Sequence, residues 1–146
     1  LEGNNLSELP LTICKLTRLI QLNLRRNKLT ELPPDVGNLI DLTYFDLEGN
    51  RIEELPAEIG NLERLTEFHL NNNALNVLPN ELGDLSELVD LFLSNNNLTS
   101  IPDSMNQLIH LESLHLSDNL ITELPDWLKQ LLDDEILFIS GNPVAG

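Results

Sequence analysis

The apolar positions of this chain recur with a period of 23 residues. In the segment 88–97, L-V-D-L-F-L-S-N-N-N, Leu91 and Leu93 flank Phe92, so a β-strand there would bury the two leucines and turn the phenylalanine outward. The same arrangement of apolar and polar residues stands 23 residues earlier, in 65–74, and 23 residues later, in 111–120. Self-similarity at this period predicts a solenoid, in which each repeat forms one coil around a continuous core.

Asparagine, proline and glycine recur in register with the apolar positions. The full repeat reads L-x-x-L-x-L-x-x-N-x-L-x-x-L-P-x-x-I-G-x-L-x-x. The asparagines are Asn4, Asn27, Asn50, Asn73, Asn96, Asn119 and Asn142, and the prolines are Pro10, Pro33, Pro56, Pro79, Pro102 and Pro125. An asparagine amide offers an acceptor and two donors, so we expect each to bond loop backbone of its own coil and of the next coil. Proline suits the start of a short helical or 3₁₀ segment, and Gly37, Gly60 and Gly83 suit a tight turn.

These residues resemble the leucine-rich repeat family along the whole chain. The L-P-x-x-I-G-x-L half is similar to the 23-residue subclass of Ras-associated scaffolds, Roco-type GTPases and bacterial leucine-rich repeat proteins. The resemblance implies an α/β fold, a right-handed horseshoe with a parallel concave sheet and short helical or 3₁₀ convex segments. We expect one domain over residues 1–146, with a partial first repeat at 1–18, about six repeats in all, cut from a longer chain. Strands are predicted near 19–27, 42–50, 65–73, 88–96, 111–119 and 134–142.

The C-terminal repeat departs from the pattern. Asp134 occupies the position that leucine fills in the other repeats. Because an unpaired buried carboxylate is costly, we expect Asp134 to be partly solvated and the last coil to be distorted. Trp127 would then cover part of the exposed core.

Charge and cysteine content narrow the classes of partner and compartment. The net charge is −16, which argues against nucleic acid and favours a protein or peptide partner, including one with a basic segment. No apolar run approaches the roughly 18 residues of a membrane span, so we expect no membrane insertion. Cys14 is the only cysteine, which excludes an internal disulfide and favours a reducing, cytoplasmic location. The sequons at Asn5 and Asn97 leave glycosylation in a secreted protein open.

No catalytic, cofactor or metal motif emerges from the sequence. His69 and His115 share a strand position but stand two repeats apart, so their backbones would be about 10 Å apart at the spacing of neighbouring strands. That distance does not suit shared ligation of one metal ion. Cys14 replaces a glycine near a buried turn and is expected to be a buried or half-buried thiol. We therefore expect no enzyme activity and no cofactor.

The outward-facing strand positions are free of the repeat pattern and are the candidate binding surface. Phe92 and Phe138 alternate with His69 and His115 in a central column, where their ring faces would serve as interface anchors. Near the N-terminal end, Arg25 and Arg26 lie beside acidic residues with which they could form ion pairs across adjacent strands. The predicted partner-binding residues on the concave face are Arg25, Tyr44, Asp46, Glu48, Glu67, His69, Asp90, Phe92, His115 and Phe138.

The sequence favours a protein–protein interaction module over two alternatives. One is the recognition or regulatory segment of a larger signalling enzyme, such as a GTPase, a kinase or a bacterial effector. The other is a structural array without a specific partner, which the irregular outward columns argue against. The partner, the flanking domains, the organism and the oligomeric state stay open.

Overall fold

Each coil of the chain contributes one short strand to a single parallel sheet. The computed structural model describes residues 1–131 and 136–145. The strands are β1 (Gln21–Asn23), β2 (Tyr44–Asp46), β3 (Glu67–His69), β4 (Asp90–Phe92), β5 (Ser113–His115) and β6 (Leu137–Phe138). They lie side by side in chain order, and each residue pairs with the residue 23 positions further along. This is the predicted solenoid.

The opposite side of each coil is a short helical segment that starts after a proline. Pro33, for example, has extended backbone angles and directly precedes Pro34–Asn38. Proline fits there because the first turn of a helical segment leaves its N–H groups unbonded. The 3₁₀ segments are Ile13–Lys15, Pro34–Asn38, Ala57–Asn61, Asn80–Asp84, Asp103–Gln107 and Pro143–Ala145, and the α-helix α1 is Asp126–Lys129. None of the helices that the structure describes is long and apolar enough to cross a membrane.

The core lies between the sheet and the helical segments. Alternate strand residues point into it, so Leu91 and Leu93 are fully buried while Phe92 stays partly exposed. Phe45 and Phe68 replace leucine at one inward position and stack with centroids 5.4 Å apart. The inward face of each central coil is thus covered by its neighbours.

The asparagine column ties each coil to the coil before it. The Nδ2 of Asn50 donates to the carbonyl of Leu47 at 2.8 Å and to that of Leu24, in the preceding coil, at 3.0 Å. Its Oδ1 accepts the N–H of Leu29, also in the preceding coil, at 3.0 Å. The expectation that these amides bond the next coil was wrong in direction, because the next coil supplies an asparagine of its own, Asn73, which bonds back in the same way.

The recurring glycines are required by contact between coils. Gly37 and Gly60 lie within 3₁₀ segments, and a Cβ atom on either would come within 2.7 Å of a backbone carbonyl oxygen of the next coil, that of Glu58 or Glu81. Real Cβ atoms do not approach so closely, so the small residue allows adjacent helical segments to pack. The predicted tight turn is therefore not the main reason for these glycines.

Left-handed backbone occurs instead just before the asparagine column. The residues with positive φ are Gly3, Arg26, Gly49, Asn72, Asn95, Asp118 and Gly141, with φ between 56° and 74°. All but Gly3 lie three residues after the last residue of a strand. The N–H at this position still bonds the next coil where one follows, as that of Arg26 does with the carbonyl of Glu48 at 2.8 Å. Glycine and asparagine suit the left-handed region, whereas arginine does not.

The ends of the solenoid differ from its middle. Leu16 is 54% exposed, although its equivalents in the central coils are buried, because no coil of the described chain covers that side of it. Cys14 is buried, as predicted, and burial raises the pKa of its thiol, with a further contribution from Asp35. Trp127 is partly buried and packs against the core, whereas Asp134 lies outside the described residues.

Candidate functional site

Five rings lie in contact on the outward face of the sheet, four of them stacked and the fifth, Tyr44, tilted by 46° against its neighbour. Four of them are the last residues of the successive strands β3 to β6, and Tyr44, the first residue of β2, contacts the first of the four. The centroid distances are 5.2 Å for Tyr44–His69, 4.4 Å for His69–Phe92, 4.7 Å for Phe92–His115 and 4.3 Å for His115–Phe138. We call these five residues the ring ridge.

The ring faces of the ridge are turned toward each other and not toward solvent. The interplanar angles are 13°, 25° and 10° for the three pairs that join His69, Phe92, His115 and Phe138. The centroid distances match the spacing of about 4.8 Å between strands, so each ring stands on its own strand with its plane along the sheet normal. The predicted use of ring faces as anchors is therefore corrected: the interior rings present their edges. Phe138, on the last strand, is 44% exposed.

Carboxylates line one side of the ridge. Glu67 and Asp90 are register partners on β3 and β4, with Glu67 exposed and Asp90 half-buried. Burial raises the pKa of Asp90, and the carboxylates of Glu67 and Glu112 raise it further, against smaller opposing effects of His69 and His115. We call Glu67, Asp90 and Glu112 the acidic side of the ridge. Glu112 was missed in the sequence because it lies one residue before the outward strand positions.

Uncharged groups line the other side. The Oδ1 of Asn71 accepts the N–H of Ser94 at 2.7 Å, and the Oγ of Ser140 donates to the Oγ of Ser117 at 3.1 Å. These side chains are small and bonded to their neighbours in adjacent coils. The concave face is thus asymmetric across the ridge, with acids on one side and neutral polar groups on the other.

In the N-terminal part of the concave face, the polar side chains bond to each other. Asp46 is only 2% exposed, and it accepts the Tyr44 hydroxyl at 3.2 Å and the N–H of Glu48 at 2.9 Å. Asp46 was predicted to contact a partner, but its burial leaves it a positioning role for Tyr44 and Glu48. Burial and the Asp46 carboxylate raise the pKa of Tyr44. The ion pair found at this end joins Arg25 to Glu48 at 2.9 Å, and Arg26 is exposed.

The two histidines of the ridge differ in their polar contacts. The Nε2 of His115 is 2.9 Å from the Ser113 Oγ, and burial lowers the pKa of His115 against an opposing effect of Asp90. The Nε2 of His69 is buried, without a hydrogen bond to any described residue, and lies 3.5 Å from the nearest Glu67 oxygen. Within residues 1–131 and 136–145, no carboxylate is within ion-pairing distance of His115, so a serine–histidine–carboxylate arrangement is not assembled there.

The same part of the chain contains no group of three or more histidine, cysteine, aspartate or glutamate side chains that could hold a metal ion.

Sequence comparison identifies the family to which this repeat belongs. The profile of a leucine-rich repeat region matches residues 34–133, and that of a single leucine-rich repeat matches residues 18–39. The chain belongs to the leucine-rich repeat family. This confirms the resemblance seen in the repeat pattern, while its assignment to the 23-residue subclass stays a prediction. The leucine-rich repeat fold is typically a scaffold for protein interaction and not for catalysis.

Solved structures of other leucine-rich repeat proteins superpose closely on this chain. A leucine-rich repeat protein of Leptospira interrogans has a TM-score of 0.92 and 39% identity, over 98% of this chain and 36% of that one. An internalin from Listeria monocytogenes has a TM-score of 0.79 and 27% identity, over 92% of this chain and 38% of that one.

A plant receptor shows the same likeness. The leucine-rich repeat ectodomain of the membrane receptor kinase GASSHO1/SCHENGEN3 from Arabidopsis thaliana, in complex with CASPARIAN STRIP INTEGRITY FACTOR 2, has a TM-score of 0.79 and 38% identity, over 92% of this chain and 17% of that one. This chain therefore spans less than two fifths of the length of each of the three proteins. No curated protein sequence matched it.

Proposed function

We propose that this chain is a protein- or peptide-binding module whose partner docks on the concave face over the ring ridge. The observation that carries the proposal is the ridge itself, four stacked rings and the tilted ring of Tyr44 on the side of the sheet that faces away from the core. Aromatic side chains held in place lose little conformational freedom on binding, which makes them effective anchors.

The fold does not require rings at these positions. Asn23 and Asp46 occupy the equivalent outward position, the last residue of β1 and β2, and those coils have the same strand and the same register as the others. Stacked rings on adjacent strands add some stability to a sheet, but β1 and β2 form the same pairing without them. The ridge is therefore better explained by a partner than by the stability of the solenoid.

Net charge supports a basic partner. Residues 29–146 contain three basic and 22 acidic residues, whereas residues 1–28 contain five basic and two acidic ones. A field of this sign accelerates encounter with a positively charged protein and disfavours an acidic one.

The chain would serve as the recognition part of a larger protein. It matches less than two fifths of each of the three related structures, one of which is a receptor ectodomain in complex with another factor. A module of this kind supplies binding, and any chemistry belongs to other domains.

The test is affinity selection of a displayed peptide library on this chain, followed by binding measurements with Phe92→Ala. We expect this substitution to weaken the selected peptides by about tenfold or more, since a central aromatic anchor is lost. Ile109→Ala is the matched control, because Ile109 is 80% exposed and lies outside the strands. Selected peptides that bind Phe92→Ala as well as the parent chain would show that the ridge is not the docking surface.

A further inference from the structure

We propose that the partner segment carries arginine or lysine side chains, and that it docks with these over Glu67 and Asp90 while its apolar side covers the ring edges. This inference rests on the proposed function and specifies the partner and its orientation. It follows from an electrostatic conflict on the concave face that the chain itself leaves unresolved.

The conflict is between two like charges in register. Glu67 and Asp90 are paired residues on adjacent parallel strands, where side chains stand about 4.8 Å apart. Like charges directly opposite each other destabilise a sheet. Glu112 adds a third carboxylate, since it also raises the pKa of Asp90.

Elsewhere in the chain, carboxylates form ion pairs with arginine side chains. Glu48 pairs with Arg25 at 2.9 Å, and Asp41 pairs with Arg64 at 2.7 Å, in each case across adjacent coils. Among the described residues, the basic group nearest to Glu67 or Asp90 is the His69 imidazole, 3.5 Å from Glu67. The acidic side is thus left without a lysine or arginine where the fold could have placed one.

The repeat does not demand acids at these positions. Gln21 and Ser113 occupy the same outward position in β1 and β5 and form the same register contacts. Two adjacent carboxylates therefore lower the stability of the sheet without serving its geometry. A cationic side chain from a partner would relieve the repulsion, and this gain is available only in the complex.

The ridge and its neutral side fix how the segment lies. Ring edges carry partial positive charge, so they suit apolar or aromatic groups of the partner and repel a cation. Carboxylates one column away, about 6.6 Å along the strand, attract it. Asn71, Ser94 and Ser117, on the other side of the ridge, offer no charge. A basic side chain therefore has one favourable side of the ridge on which to lie.

The test uses a capped pentapeptide with alternating arginine and leucine, and its glutamate–leucine counterpart, titrated by fluorescence anisotropy and by NMR at low ionic strength. The variant is Glu67→Gln with Asp90→Asn, which keeps side-chain size and removes two charges. Its control is Glu31→Gln with Glu54→Gln, two exposed residues in adjacent coils outside the strands, with the same change of net charge.

We expect the Glu67/Asp90 variant to bind the arginine peptide about tenfold more weakly than the parent chain does. The control variant should lose less than about twofold in affinity for the same peptide. The glutamate peptide should bind neither of the two variants. Chemical-shift changes are expected at Glu67, Asp90 and the ring ridge. Equal losses in the two variants would show that only net charge attracts the peptide, and the inference would fail.

The two proposals fail in different ways. If library-selected peptides lose affinity with Phe92→Ala but are indifferent to the Glu67/Asp90 variant, the concave face binds a partner and this inference about its chemistry is wrong. If neither change affects those peptides, the docking surface lies elsewhere and both proposals fall.

Discussion

Glu67 and Asp90 are register partners on the adjacent strands β3 and β4. No arginine or lysine of the described chain lies within ion-pairing distance of either carboxylate. Their repulsion costs the fold stability, and the pair lies on the face that we propose as the docking surface. It lies beside the ring ridge and does not contribute to the core.

Asp90→Asn is expected to raise the free energy of unfolding by roughly 0.2–1 kcal/mol at about pH 7, because it removes one of two facing charges. The fold holds the pKa of Asp90 above its ordinary value of 3.8, so ionisation costs stability. The cost is absent below about pH 3.8 and grows as the pH rises through the raised pKa. Urea unfolding at about pH 7 and about pH 3 should therefore show a gain that shrinks on acidification. A destabilised variant at neutral pH would contradict the repulsion.

His115 should make the fold less stable in mild acid. Burial lowers its pKa from the ordinary 6.5, so the neutral imidazole is favoured in the folded chain. The stability of the fold with the His115 imidazole neutral is fully present above about pH 6.5. It is lost as the pH falls through the lowered pKa, because protonation then favours the unfolded chain. His115→Phe, which retains a ring in the stack, should flatten this part of the pH dependence in thermal unfolding.

The exposed His110→Gln is the control for that experiment and should leave the parent profile in place. An NMR titration gives an independent reading, since the His115 ring signals should have a midpoint below 6.5. A midpoint at or above that value would show that charged neighbours outweigh burial.

Arg26 stands in a left-handed position that glycine or asparagine fills in the central coils. Its φ is 56°, and this conformation costs a residue with a Cβ atom about 1 kcal/mol. Arg26→Gly should therefore stabilise the chain by up to about 1 kcal/mol in chemical unfolding. Arg26→Val removes the same charge but places a β-branched residue at positive φ, so we expect it to destabilise. Similar effects of both substitutions would mean that charge and not backbone conformation governs this site.

The repeat pattern was sufficient to predict the fold because each of its positions has its own physical role, such as burial in the core or hydrogen bonding of loop backbone. Leu91 and Leu93 are buried as their columns predict, and Asn96 bonds loop backbone as expected, although that of its own and the preceding coil and not of the next. The concave columns also followed from strand alternation. The docking role of the predicted site residues stays a prediction.

Side-chain arrangement on that face could not be read from the sequence. Alternation places Asp46 outward, yet hydrogen bonds with Tyr44 and Glu48 accompany its burial. Alternation also brings His69, Phe92 and His115 together, but whether rings lie flat or stand on edge depends on side-chain torsions and on the strand spacing. The direction of the asparagine bonds depends likewise on how one coil sits on another.

That direction gives the solenoid a polarity. The N–H of Ile121 and the carbonyl of Leu116 are bonded by the Asn142 side chain, which arrives only with the following coil. In each coil that has a C-terminal neighbour, the hydrogen bonds of these loop groups are therefore completed by the asparagine of that neighbour. During synthesis the newest coil always has unbonded backbone groups, and removal of the last coil would strand buried donors and acceptors of the one before. Removal of the first coil has a smaller effect on the asparagine bonds. Asn27 would lose the N–H of Leu6 and the carbonyl of Leu1 but keep the carbonyl of Leu24 in its own coil.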